Sequence, residues 1–363
     1  MKRPMHLCLV VLAIMVAGIG SVGQAMAQAA RSTDQVMAEY YAKAKAEGSV
    51  SVYTVLASDI ATKIVQDFNR KYPDIKVELT RFGGNPLVEK FMLEKRAGIN
   101  NVDVLHFPGL TPILADFIPA GYLDKYVPTT APLYAESVTI PQYGYPLWVY
   151  TSATCYNPRK VTPDEIELLR SYHTWPNPRF KGRVVMTAPI GGTSGTFVVR
   201  WWQDKSLGEA WFKKLAELNP HLTNSATNTA QMVASGEYDI GMNCLSDTAN
   251  RQIVAGGRVE YVFDKDYVLV TPAYSMIANK PPHPNAARLF QEWQLSDDGQ
   301  TSYQTHSRGR SGRIDWKDKA VEGAWYVEPK NIRPGASSDN YQQIDEDTPK
   351  AFQAFSTIFK WGR

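Results

Sequence analysis

Residues 48–80 read GSVSVYTVLASDIATKIVQDFNRKYPDIKVELT, and two periodicities alternate within them. From Ser49 to Val55, Val50 and Val52 fall on one face, the pattern of a half-buried strand. Ser58 or Asp59 then caps a helix whose apolar stripe is Ile60, Ile64, Phe68 and Tyr72, stopped by Pro73. Ile75, Val77 and Leu79 alternate as a second strand. Upstream, Ser32 and Gln35 form a capping-box pair ahead of Val36, Tyr40 and Ala44. Downstream, Asn85-Pro86 reads as N-cap and first helical residue, with Leu87, Val88 and Phe91 inward and a strand over 102–107. Strands and helices in strict alternation imply a sheet covered by helices.

A second series follows a Pro- and Tyr-rich passage, Pro141 to Trp148. It begins with a strand over 183–188 and a Gly-rich loop over 189–195 that leads into a helix. Leu207, Trp211, Leu215 and Leu218 stripe the next helix, and Asn228 caps a short one closed by Gly236. Strands over 238–245, 259–263 and 268–271 come next. Ala286, Leu289, Phe290 and Trp293 mark a late helix, and Phe352, Phe355 and Phe359 another at the C-terminus. A chain of 363 residues exceeds the size at which one core keeps growing. The expectation is two α/β lobes.

Composition narrows the function. With 44% hydrophobic residues the chain can bury a core, which excludes disorder. The formal net charge is +3 with Lys and Arg scattered, not the basic stripe of a nucleic-acid binder. Lys2 and Arg3, the apolar run Leu7 to Ile19 and Ala25-Met26-Ala27 have the anatomy of a cleavable signal over 1–27. The run is shorter than the roughly 20 residues of a spanning helix. Taking Lys2 and Arg3 from 39 basic residues leaves 37 against 36 acidic ones, so selectivity must come from a local site. Cys155 and Cys244 remain after cleavage. Export permits a disulfide, but both sit in apolar strand contexts where free thiols are common, and the reading leans to free thiols. No zinc-ligand spacing occurs.

The sharpest local feature is Gly191-Gly192-Thr193-Ser194-Gly195-Thr196, between a strand and a helix. Free backbone N–H groups at a helix start, with hydroxyls beside them, suit an anion. The plain alternative is a strand-to-helix turn with Thr193 or Ser194 as N-cap. The segment lacks a P-loop lysine and misses the nucleophile elbow by one position. Ser58, Gly84-Asn85 and His106 also stand at strand ends, where α/β sheets bind ligands. Together they suggest a site in the cleft between lobes, although a lone histidine is more often structural. Tyr143, Tyr145 and Trp148 read as packing of a crossing segment, and Arg308 to Arg313 as a solvated basic loop.

The chain resembles the periplasmic solute-binding proteins of ABC importers, in the branch of iron(III), aminoethylphosphonate and sugar-phosphate receptors. The resemblance rests on residues 46–54, 101–105, 193–197 and 236–240, and on Ala287 to Gln300. It implies a two-lobed fold in which two or three strands cross between lobes that close on a ligand. It also implies that Thr193 to Thr196 form the family's anion-binding helix start. Iron-binding members place a histidine, a carboxylate and adjacent tyrosines where this chain has Ala57, Pro108-Gly109 and Ser246-Asp247. Ferric iron wants anionic oxygen ligands, so an organic anion fits better, with Ser246 and Asp247 receiving its hydroxyl or ammonium groups.

The expected organisation is lobe 1 over 28–148, lobe 2 over 149–267, and a return to lobe 1 over 268–363. The expected function is periplasmic capture of a small anionic solute by a monomeric, non-enzymatic receptor that serves an ABC permease. No cofactor, metal or nucleic acid is expected. The alternatives are a ferric receptor, a secreted enzyme on the same fold, and a receptor that docks on a sensor kinase.

Overall fold

The computed structural model describes residues 32–189, 192–316 and 331–362, so the signal segment lies outside the described residues. Helix α1 (Thr33–Ala44) opens on the capping box, with Ser32 Oγ accepting from the Gln35 N–H and Gln35 Oε1 from the Ser32 N–H. Strand β1 (Ser49–Thr54), α2 (Ser58–Lys71), β2 (Lys76–Arg81), α3 (Gly84–Arg96) and β3 (Val104–Phe107) follow in the expected order. Two helix starts in this first stretch differ from expectation. Ala57 caps α2 without a side-chain bond, so Ser58 is the first helical residue. Gly83, not Asn85, is the cap of α3, which places Pro86 in the first turn, where its missing N–H costs nothing. A short helix α4 (Leu110–Pro112) runs into a single π turn over Ile113–Phe117.

The Pro- and Tyr-rich passage leads into the long strand β4 (Tyr145–Tyr156). The second lobe then comprises α5 (Pro163–Leu169), β5 (Val184–Thr187), α6 (Gly192–Gln203), α7 (Gly208–Ala216), β6 (His221–Thr223), α8 (Ala226–Ser235), β7 (Ile240–Leu245), α9 (Ser246–Val254) and β8 (Glu260–Val262). The cap of α8 is Ser225, whose Oγ accepts from the Asn228 N–H; Asn228 itself is helical. Strand β9 (Val268–Ile277) returns to the first lobe, followed by α10 (Pro284–Leu295), α11 (Asp297–Ser307), β10 (Ile332–Pro334) and α12 (Tyr341–Phe359).

One continuous sheet runs β2-β1-β3-β9-β4-β7-β5-β6, with β10 beside β9 and β8 beside β4. Strands β1, β2 and β3 are parallel, as are β5, β6 and β7. Two antiparallel strands cross between the lobes. Strand β4 pairs with β9 from Tyr145 to Thr151 and with β7 from Ser152 to Tyr156; β9 reaches β3 through Tyr274 to Ile277. Both crossing strands are buried nearly throughout, which explains their unbroken apolar and hydroxyl runs in place of alternation.

Each lobe has its own core. In the first, Phe68 meets Phe290 and Trp293 edge-on at 5.0 and 5.2 Å. In the second, Trp175, Trp201 and Trp211 pack around Tyr172. Helix α12 does not join α10 and α11 on the first lobe. Its Phe355 and Phe359 pack on Phe212 of α7, and Asp347 accepts from Gln203 of α6 at 2.8 Å. Its phenylalanines therefore cover an apolar face of lobe 2 after the chain has crossed back.

Two further expectations are corrected. Cys155 and Cys244 form a disulfide between β4 and β7, because neighbouring antiparallel strands bring their Cα atoms to 6.1 Å. The Arg308–Arg313 run is not wholly solvated. Arg313 is buried between Asp297 and Asp315, and Arg310 bridges to Val149 of β4.

Candidate functional site

Where the lobes face each other, a cavity of about 680 Å³ opens beside the crossing strands. Lobe 1 contributes Pro86 of α3 and the turn from Phe107 to Pro112, at the carboxyl end of β3. Lobe 2 contributes Gly192, Thr193 and Thr196 of α6, beyond the carboxyl end of β5. Thr271, Pro272 and Tyr274 of β9 lie between them, and Ala336 with Ile344, Asp345, Thr348 and Phe352 of α12 forms the remaining wall, so one carboxylate also lines the cavity.

The start of α6 is built from below. Gly192 adopts φ +60°, and a side chain there would meet nothing within 4 Å, so the first turn lies open to the cavity. Asn243 on β7 holds the helix from behind, its Nδ2 donating to the Thr187 carbonyl at 2.9 Å and the Ser194 carbonyl at 3.2 Å. Thr196 Oγ1 donates its one proton to the Gly192 carbonyl at 3.1 Å, so it must turn from that carbonyl to donate to a ligand. Gly195 underlies Phe352, and an added Cβ would stand 2.7 Å from the ring's Cζ. Thr271 is 9% exposed, and its Oγ1 has no hydrogen-bond partner. A buried hydroxyl without a partner is uncommon and calls for an explanation.

The residues singled out from sequence divide into two groups. Thr193 and Thr196 line the cavity, while Ser194 and Gly195 lie in the same turn, buried beneath it. Gly84 and Asn85 begin α3 one residue before the cavity-lining Pro86, and the Asn85 side chain lies outside the described residues. Ser58, His106, Ser246 and Asp247 are not among the cavity's lining residues.

His106 is 2% exposed in the first lobe, with Nε2 2.7 Å from Gln294 Nε2, Nδ1 3.3 Å from Thr54 Oγ1, and its ring stacked on Phe290. Burial pulls its pKa down to about 3, so it is neutral. The strand alternation that aims it at α10 turns it away from the cleft. Ser246 and Asp247 begin α9. Asp247 Oδ2 pairs with Arg251 at 2.8 Å, and Arg251 also reaches the Ser307 carbonyl of the first lobe at 3.2 Å. Asp247 thus sits at a lobe–lobe contact; burial, with the Asp247 charge adding to it, pushes the Tyr150 phenol up to about 12.

Sequence reading missed Thr271, Tyr274, Asn243 and the α12 wall. Asn243 carried one available signal, an amide within an apolar strand, and it adopts φ +51°. Among the described residues, no group of three or more His, Cys, Asp or Glu side chains could hold a metal ion. No helix among them is long and apolar enough to cross a membrane.

Two lobes, two crossing strands and a cleft at the strand ends define the periplasmic-binding-protein fold. The chain belongs to the bacterial extracellular solute-binding protein family, whose profile matches residues 55–301. No curated protein sequence matches it significantly. Iron-bound HitA from Pseudomonas aeruginosa is 19% identical, with a TM-score of 0.69 over 85% of this chain and 99% of HitA. AfuA from Actinobacillus pleuropneumoniae, solved with fructose-6-phosphate, is 17% identical, with a TM-score of 0.66 over 87% of this chain and 100% of AfuA. The Trichodesmium IdiA (FutA) complex with iron and citrate is 16% identical, with a TM-score of 0.66 over 86% and 99%. At such identity these likenesses establish the fold and leave the ligand open. Members of the family act outside the cytoplasm, are generally not enzymes, and deliver a small solute to an ABC permease.

Proposed function

We propose that this protein is exported by its N-terminal signal and, as a monomer, captures a small organic anion that carries a phosphate, phosphonate or carboxylate. The anionic group sits at the start of α6, against Thr193 and Thr196, with Thr271 of the crossing strand beside it. The observation that carries this reading is the convergence of that helix start with the unpartnered Thr271 hydroxyl on one cavity. Free N–H groups and the positive end of the α6 dipole favour negative charge there. Pro86, Phe107, Tyr274 and Phe352 provide the apolar walls that a carbon skeleton needs. Ligands of both lobes would favour closure by binding the closed state better.

Native mass spectrometry of protein purified from the periplasm without refolding identifies a co-purifying solute, and its N-terminus locates the cleavage site. Calorimetry with phosphorylated and carboxylated solutes then compares wild type with Thr193→Ala. Loss of one hydrogen bond to a charged acceptor, roughly 1.5–3 kcal/mol, weakens binding about ten- to a hundredfold. A neutral best ligand, or an unchanged affinity in the folded variant, refutes the assignment.

A further inference from the structure

At the opposite end of α6 from the cleft lies a second cavity of about 220 Å³, lined by Arg200, Gln203, Asp204, Tyr267, Leu269 and Arg333. Arg200, in the last turn of α6, donates from Nη1 to Gln203 Oε1 at 3.2 Å. Its Nε is buried and has no hydrogen-bond partner. Arg333, on β10, lays its guanidinium carbon 3.9 Å from the centroid of the Tyr267 ring. Among the described residues, neither guanidinium has a carboxylate within the 4.0 Å of an ion pair. Of the nearby acids, Asp204 and Asp264 are already engaged, while Asp266 lines the adjoining cavity as an exposed residue. Asp204 accepts from the Ser206 N–H and Oγ and from the Tyr267 hydroxyl. Asp264, in the adjoining cavity, accepts from the N–H groups of Tyr172, Asp266 and Tyr267.

A guanidinium offers five donors and no acceptor, and a buried donor left unpaired is costly. Burial lowers the Arg200 pKa, and the repulsion from Arg333 acts in the same direction. The negative end of the α6 dipole offsets part of the Arg200 charge but supplies no acceptor to Nε. Two guanidiniums and one hydrogen-bonded carboxylate, Asp204, line this small polar cavity, so its own lining holds one more cation than anion and keeps unused donors. That combination suits a compact anion able to accept from both forks at once.

We propose that this cavity is a second anion site, separate from the cleft, that takes a small tetrahedral oxyanion such as phosphate or sulfate between Arg200 and Arg333. Gln203 lines the same cavity and also donates to Asp347 of α12, while Arg333 lies on the strand that pairs with β9. A bound oxyanion therefore ties β10 to α6 and stabilises the folded chain.

The test uses the full mature protein, with inorganic phosphate or sulfate titrated at constant ionic strength against chloride. Thermal unfolding and isothermal calorimetry are the readouts. The expected result is a saturable rise in melting temperature that chloride does not reproduce. Arg333→Gln should weaken it about tenfold, the size of one lost charge-assisted hydrogen bond. Thr193→Ala should leave the Arg333-dependent part of the rise unchanged, which separates this site from the cleft. Arg333 is exposed, so its variant stays informative even where Arg200→Gln fails to fold. No saturable effect, an undiminished effect in folded Arg333→Gln, or an effect lost only in Thr193→Ala would each overturn the second site.

Discussion

Replacing Thr271 by valine should move stability and affinity in opposite directions. The side chain stands on β9 with its Oγ1 buried and unpartnered, so the folded state carries the desolvation of a hydroxyl with no bond in return. That penalty is about 1–3 kcal/mol, and an isosteric methyl removes it. Gly335 backs onto this hydroxyl: a Cβ there would lie 3.1 Å from Thr271 Oγ1 and 2.9 Å from Thr196 Cγ2, and its absence leaves room for the valine methyl. A gain of about 1 kcal/mol raises the melting temperature by roughly 2 °C in a chain of this length. The same change removes one donor from the proposed anion site, so calorimetry should read a ten- to hundredfold weaker complex, from roughly 1.5–3 kcal/mol. Thr271→Ser is the control. It keeps the hydroxyl and loses a methyl, so it should bind normally and unfold more easily. If Thr271→Val is destabilised, or binds the native solute as tightly as wild type, the hydroxyl is not a held-back ligand donor and the reasoning fails.

Four other outcomes follow. His106 has a folded pKa of about 3 against its ordinary 6.5, so the unfolded chain binds the extra proton between those values. Stability should therefore fall as pH drops below 6.5, by about 1.4 kcal/mol per unit for this proton, and a pH series of melting temperatures should be flatter in His106→Gln. Reducing the Cys155–Cys244 bridge, or replacing both cysteines with alanine, should cost about 2–4 kcal/mol by denaturant unfolding, since it releases a loop closed across 89 residues. Gly195→Ala should displace Phe352 and loosen α12, at a cost of about 1–3 kcal/mol, and Phe352→Ala in the same chain should recover part of it. Titration with chelated ferric salt should give no stoichiometric visible band; a tyrosinate charge-transfer band would restore the iron reading.

Local patterns were legible because their causes are local. The stripe Ile60, Ile64 and Phe68 fixes the inward face of α2 wherever the helix packs, and Ser32 with Gln35 caps α1 through bonds three residues apart. Alternation found β1 and β2 for the same reason. It failed on β4 and the far half of β9, because a strand buried on both faces has no polar side to alternate with. Helix caps slipped by one to three residues at α2, α3 and α8, where an earlier residue took the cap position.

The sequence by itself determined the α/β class, the two-lobed plan, the near-neutral charge and the polar strand-to-helix turn at Thr193 and Thr196. Only the tertiary structure decided which strand-end residues share a cavity. His106 lies near the end of β3 and Thr193 follows β5, yet one points at α10 and the other opens into the cleft, a choice set by packing partners distant in sequence. The disulfide required β4 and β7 to be neighbours, and Cys155 lies 89 residues from Cys244. Thr271, Phe352 and the Arg200–Arg333 pair gained their environments when the chain returned through β9, β10 and α12 to the surface of lobe 2. Those encounters join residues far apart along the chain, so no periodicity or motif could have announced them.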